Sequence, residues 1–166
     1  MIGTHVTLSS DELAVVRFMA TQRDHNNRFV PDKFQAPTSS VKTSEASWLG
    51  VAAEFAFCKL FNIFPDLAMH NEKHSSQGTD DGDCSYQGQR IDVKNTHYIN
   101  GKLMIVPWKK PSCFAYALMV GKPPTYVFKG FFKASEAITP ARLQIVTGTN
   151  KAYVVHQHEL KEFNQL

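Results

Sequence analysis

The stretch Asp83-Cys84-Ser85-Tyr86-Gln87-Gly88-Gln89-Arg90-Ile91-Asp92-Val93-Lys94 decides how this chain is read. Gly in the second position of the central Gln87-Gly88 pair suits a two-residue hairpin turn, where positive φ is required. Closing the hairpin there sets Tyr86 opposite Gln89, Ser85 opposite Arg90, Cys84 opposite Ile91 and Asp83 opposite Asp92. Directly opposed residues share a face of the pleat, and so do residues two apart on one strand. Asp83, Asp92 and Lys94 are therefore expected to project together, with Asp81 opposite Lys94. Two carboxylates held side by side disfavour each other's ionisation unless a cation stands between them. A hard divalent cation such as Mg²⁺, bound through oxygen with several waters retained, is the simple remedy. The competing reading is a solvent-facing hairpin in which Lys94 pairs with an acid, since Asp-X-Lys is short and recurs by chance.

Upstream, Ser9 followed by Glu12 makes a capping-box pattern, and Leu13, Val15, Val16, Phe18 and Met19 follow at helical spacing. A helix from Ser10 to Arg23 is expected. Asp24 to Lys42 is polar, contains Pro31 and Pro37, and reads as a loop. Thr43 or Ser44 then caps a second helix, with Glu45 well placed for its dipole. From Trp48 to Phe61 that helix is apolar except for Glu54, Cys58 and Lys59, so it is expected to be largely buried. An ionised carboxylate there is costly unless it is paired or on a metal. Glu54 needs a partner, and the acidic hairpin, through its cation, is the candidate.

Downstream, Asn100-Gly101 is the strongest short turn signal in the chain and is expected to join a strand ending at Ile99 to one over Lys102 to Pro107. Cys113 to Val120 and Thr125 to Phe132 read as strands separated by Gly-Lys-Pro-Pro, Ala152 to His156 as a last strand, and His158 to Phe163 as a short terminal helix. This order predicts a mixed sheet flanked by helices, without internal repeats.

With 166 residues, 43% hydrophobic and 20% charged, the chain fits one domain, residues 1–166, able to bury a core without staples. Three cysteines, Cys58, Cys84 and Cys113, show no paired CxxC spacing, which points to a reducing compartment. The longest apolar run, Trp48 to Phe57, contains Glu54, and the N-terminus has no h-region, so no membrane span or signal peptide is expected. Net charge is +3, but its distribution matters more. From Val93 to His158 nine Lys or Arg (Lys94, Lys102, Lys109, Lys110, Lys122, Lys129, Lys133, Arg142, Lys151) face one acid, Glu136. From Asp66 to Asp92 six acids (Asp66, Glu72, Asp80, Asp81, Asp83, Asp92) face Lys73 and Arg90. An acidic hairpin in a basic protein suits a metal-dependent enzyme acting on a polyanion, since lysines capture phosphate while carboxylates hold the metal.

Other constellations weigh less. His70 and His74 stand four apart without a third ligand at matching spacing, which favours a surface loop over zinc. His156 and His158 share a strand face near its end. No G-x-S-x-G elbow supports a serine hydrolase. Trp108 beside Lys109 and Lys110 has the make-up of a nucleic-acid contact, though a core Trp is the stronger reading.

A helical Glu54 in Gly-Val-Ala-Ala-Glu, Asp83 opening a hairpin and Asp92-Val93-Lys94 on its second strand resemble the PD-(D/E)XK nuclease superfamily, especially its small phage-type and junction-resolving members. The resemblance covers Trp48 to Ala134. It implies an α/β (α+β), restriction-endonuclease-like core with a central mixed β-sheet, Mg²⁺ or Mn²⁺ as cofactor, and hydrolysis of phosphodiester bonds in DNA. Carried over by position, Asp83 and Asp92 are metal ligands, Lys94 orients or activates the attacking water, and Glu54 supports the metal. Two departures stand out: no Pro precedes the first acid, and Asp81 competes with Asp83 for its role. A homodimer acting in the cytoplasm of a bacterium or phage-infected cell is the matching expectation for cutting two strands. The alternative from another class is a nucleic-acid-binding or assembly protein with this fold and no cleavage.

Overall fold

The computed structural model describes residues 1–27, 43–67, 79–80, 83–107 and 110–166. In chain order its elements are β1 (His5–Thr7), α1 (Ser10–Asn27), α2 (Thr43–Phe61), β2 (Thr79–Asp80), β3 (Cys84–Tyr86), β4 (Gln89–Thr96), β5 (Leu103–Ile105), β6 (Lys110–Pro111), β7 (Ala115–Lys122), β8 (Thr125–Lys133), α3 (Ala134–Ala137), β9 (Leu143–Thr147) and β10 (Asn150–Val155). Five strands form a mixed sheet in the order β1-β8-β7-β4-β3, in which only the β4–β7 pair is parallel. Strands β5, β10 and β9 make a second, antiparallel sheet, and β2 pairs with β6.

The β3–β4 hairpin forms in the expected register, Cys84↔Ile91, Ser85↔Arg90 and Tyr86↔Gln89. Its turn has φ of 49° at Gln87 and 76° at Gly88, the doubly positive pattern that matches the twist of the flanking strands. The capping box at the start of α1 also forms: Ser9 N–H donates to Glu12 Oε2 at 2.6 Å, and Glu12 N–H donates to Ser9 Oγ at 3.2 Å.

Along β7 the side chains alternate between two cores. Ile91 and Val93 join Ala115, Ala117 and Met119 of β7 beneath α1 and α2, where Val16, Met19, Ala53, Ala56 and Phe57 are buried. Tyr116, Leu118 and Val120 face the other way, against Leu103, Ile105 and Val155 of the second sheet. The mixed sheet flanked by helices is thus present, with the two long helices on one face and a small sheet on the other. A bulge in β8, where Leu118↔Gly130 is followed by Met119↔Phe128, shifts the alternation by one residue. Tyr126 and Phe128 before the bulge and Phe131 after it therefore all enter the helix-side core.

The Asn100-Gly101 turn does not return the chain along β4. β5 pairs instead with β10, Met104↔Val154, and this buries Leu103 and Ile105 in the second core. Helix α1 runs four residues past Arg23, and the expected terminal helix is replaced by two 3₁₀ turns, Gln157–Glu159 and Phe163–Gln165.

Candidate active site beside β4

Pairing within the hairpin ends at Cys84↔Ile91. Asp83 does not stand in register opposite Asp92 as the turn alone predicts: its N–H donates to the Ile91 carbonyl at 2.8 Å, one residue short. The chain turns away here because the Asp83 carbonyl accepts from Asp66 N–H (3.3 Å) in the segment after α2. On that side of β4 the next inter-strand donor is Val93 N–H, two residues beyond Ile91. Asp83 Oδ2 accepts it at 2.6 Å, so a side-chain carboxylate takes the place of the missing strand carbonyl.

Asp92 and Lys94 leave the face of β4 opposite to Ile91 and Val93. Asp92 is 8% exposed, the one buried charged residue among those described, and Lys94 Nζ lies 2.5 Å from its Oδ1. Tyr116, the register partner of Asp92 on β7, places its ring centre 5.8 Å from Lys94 Nζ. Burial and the nearby Asp92 push the Cys113 thiol up to about 11, so it stays neutral beside this group.

Glu54 reaches the group from α2. Its direct partner is Arg23 of α1, whose Nη1 lies 2.7 Å from Glu54 Oε2 while Nη2 donates to the Asp66 carbonyl at 3.0 Å. The requirement that Glu54 be paired is met, by a residue that sequence reasoning assigned only to a helix end. Its signal was that Arg23 is the last cation of an amphipathic helix in a chain whose second helix buries a single acid.

The carboxylates share one electrostatic field. Burial pushes Glu54 above the usual carboxylate range against the pull of Arg23, and Asp92 pushes the same way. Burial also raises Asp83 well above its ordinary value, and Glu54 and Asp92 add to that effect, while Lys94 and the Val93 N–H oppose it. Glu54, Asp83, Asp92 and Lys94 thus act on one another electrostatically, while the direct contacts are the pairs Arg23–Glu54 and Lys94–Asp92 and the Val93–Asp83 hydrogen bond.

The donor set is carboxylate oxygen, which suits a hard cation, and the mutual repulsion of Asp83, Glu54 and Asp92 is what a cation relieves. Each carboxylate is also engaged, by Val93 N–H, Arg23 and Lys94 respectively. As placed, no three His, Cys, Asp or Glu side chains among the described residues stand close enough together to hold a metal ion. In donor chemistry and charge the residues fit the cation that the sequence implies.

These shifts set a pH dependence of stability. Asp83 and Glu54 have folded pKa values above their unfolded ones, so the folded state binds more protons and stability falls as pH rises from about 4 toward those raised values. Glu12, Glu159 and Glu162 are lowered by Lys59, by the His156 N–H and by the terminal ammonium respectively, and they act in the opposite sense below that range. Thermal melts of the metal-free protein should therefore show the midpoint declining above the ordinary carboxylate range. Asp83→Asn should flatten the decline, and an equally steep profile in that variant would refute the Asp83 assignment.

Of the nine cations in the basic stretch, Lys102, Lys122 and Lys151 are exposed. Arg142 is occupied by Glu159 at 2.8 Å, and Lys133 lies over the Phe114 ring at 5.7 Å. Asp81, His70, His74, Trp108 and Lys109 lie outside the described residues. His156 and His158 sit at a 3₁₀ turn rather than on a strand, with ring centres 5.5 Å apart. Cys58, Cys84 and Cys113 are free thiols.

Comparison with protein-family models finds no match for this chain, and neither the curated proteins nor the solved structures yield a similar protein. Among the described residues no helix is long and apolar enough to cross a membrane.

Proposed function

We propose that this chain is a divalent-metal-dependent endonuclease of PD-(D/E)XK type that hydrolyses phosphodiester bonds in DNA. The observation that supports the reading is the Lys94–Asp92 ion pair on β4, with Asp83 bonded to the Val93 N–H beside it and both Asp92 and Glu54 adding to the rise in the Asp83 pKa.

Asp83 and Asp92 are the residues that would hold Mg²⁺ or Mn²⁺, with Glu54 supporting. When bound, the metal supplies neutralisation of a phosphoryl oxygen and a lowered pKa for a coordinated water. Lys94 places a cation where negative charge develops on the reacting phosphate, a role in which a preorganised group acts on the barrier rather than on binding. Arg23 holds Glu54 and ties it to the segment at Asp66. Asp92, Val93 and Lys94 lie on a strand fixed by β7, so their spacing is rigid. Two copies of the chain, each cutting one strand, complete the proposal.

One observation favours the alternative of a non-cleaving nucleic-acid-binding protein: Glu54 and Asp92 already have cationic partners, Arg23 and Lys94. Incubation of the purified protein with supercoiled, linear and branched DNA separates the two. Nicking or linearisation with Mg²⁺ or Mn²⁺, abolished by EDTA, is expected; binding without any cleavage would select the alternative.

Binding itself should be steeply salt-dependent. Each phosphate neutralised contributes about −0.9 to the log–log slope, so Lys102, Lys122 and Lys151 together give about −2.7. A flat response in a titration with EDTA present would mean that these lysines only solvate the surface.

A further inference from the structure

Beyond Thr96 the site strand runs into a loop, residues 97–102, that displays two large side chains to solvent: Tyr98 is 66% exposed and Ile99 76%. Together they make a small apolar tip on the surface. The loop that carries them is firmly held. Gln157 Nε2 donates to the carbonyls of Ile99 (2.9 Å) and Gly101 (2.8 Å), and Gly101 N–H donates to the Tyr98 carbonyl (2.8 Å). Tyr98 N–H donates to Thr96 Oγ1 at 3.3 Å, and Gly101 packs so closely on the Thr96 side chain that no Cβ fits there. The His97 and Tyr98 ring centres are 3.9 Å apart. Bracing of this kind removes much of the ordering cost that a mobile loop would meet on binding.

The charge around the loop identifies the occupant. No acid occurs from Val93 to Ser135. Lys102 is exposed within the loop. Exposed Lys122 lies on β7 two residues past Val120, the register partner of Thr96. An apolar tip with an exposed lysine in its own loop, on a segment without acids, suits a nucleic acid, whose bases offer apolar faces between phosphates. Tyr98 follows Lys94 by four positions, at most about 13 Å of extended chain, or about four stacked base steps of 3.4 Å.

We propose that Tyr98 and Ile99 form a wedge that receives an unpaired or unstacked base of a DNA strand whose phosphate lies at Asp92 and Lys94. The Tyr98 ring gives the base a stacking surface, while Ile99 fills the gap that the base leaves. The proposal rests on the nuclease reading and deepens it, since it makes locally unpaired DNA the favoured substrate class.

The test is equilibrium binding in EDTA, which keeps the DNA intact, to a perfect duplex and to the same duplex carrying one unpaired fluorescent base. The wild-type protein should bind the bulged DNA more tightly and quench the reporter. Stacking of one base is lost in Tyr98→Ala, so affinity for bulged DNA should fall about 5- to 100-fold while duplex affinity changes less than about twofold. Tyr98→Phe should restore the preference, and an unchanged melt of Tyr98→Ala shows that folding is intact. Equal binding of both DNAs by the wild-type protein, or an unaltered preference in Tyr98→Ala, overturns the wedge. A change in molecular mass for Ile99→Ala with DNA preference unaltered assigns the tip to a protein contact and also overturns it. Cleavage of plain duplex by the wild-type protein is scored separately, so loss of the nuclease reading is distinguishable from loss of the wedge.

Discussion

Replacing Asp92 with asparagine is expected to reduce metal-dependent cleavage by about 10³-fold or more, a loss at the upper end of what removal of a single preorganised polar group at the reacting centre produces. Asparagine keeps the shape of a side chain that is 8% exposed and leaves its β4–β7 register untouched, so the fold should survive. Asp83→Asn is expected to lose cleavage similarly, with a different effect on stability. It removes one of three mutually repelling carboxylates yet retains an oxygen for the Val93 N–H, so the metal-free variant should melt higher than wild type near neutral pH. Asp83→Ala forfeits that bond, and the stranded Val93 N–H costs about 1–3 kcal/mol. Single-turnover rates on plasmid DNA with parallel thermal melts give the answer. Substantial cleavage by either purified asparagine variant would sink the metal-ligand assignment.

The second large effect is expected at Lys94. Lys94→Ala should slow turnover about 10²- to 10³-fold, while affinity for DNA falls only by the share of one phosphate contact. The geometry explains the asymmetry: Lys94 is held against Asp92 at 2.5 Å and above Tyr116, so its ammonium is preorganised beside the carboxylates rather than spread over the DNA surface. Equal losses in binding and in rate would recast Lys94 as a phosphate clamp.

The hairpin was legible because its signals are local. Gln87-Gly88 fixes the turn, and period-two alternation then fixes which residues face each other. The same rule misplaced Asp83, because the departure of the strand depends on Asp66, seventeen positions away, whose backbone N–H takes the Asp83 carbonyl. The Ser9/Glu12 capping box is likewise local and formed as read. Arg23 as the partner of Glu54 was not legible, since the pair spans 31 positions and joins two helices whose packing no short pattern specifies. Lys102 to Pro107 reads as a strand and only Leu103–Ile105 forms one, its partner chosen by the second core. Asn100-Gly101 marks that the chain bends, not where it goes.

From Asp92 to Thr96, β4 has β7 on one side and no paired strand on the other among the described residues. An uncovered strand edge invites a strand from another molecule, and proteins commonly guard such edges with charge. Here Asp83 occupies the Val93 donor with a carboxylate, so an incoming backbone meets a plugged position and a negative charge. The group that makes the metal-free fold less stable toward high pH thereby also serves as a gatekeeper against edge-to-edge aggregation. Resistance to heat and resistance to clumping are set in opposite directions at one side chain.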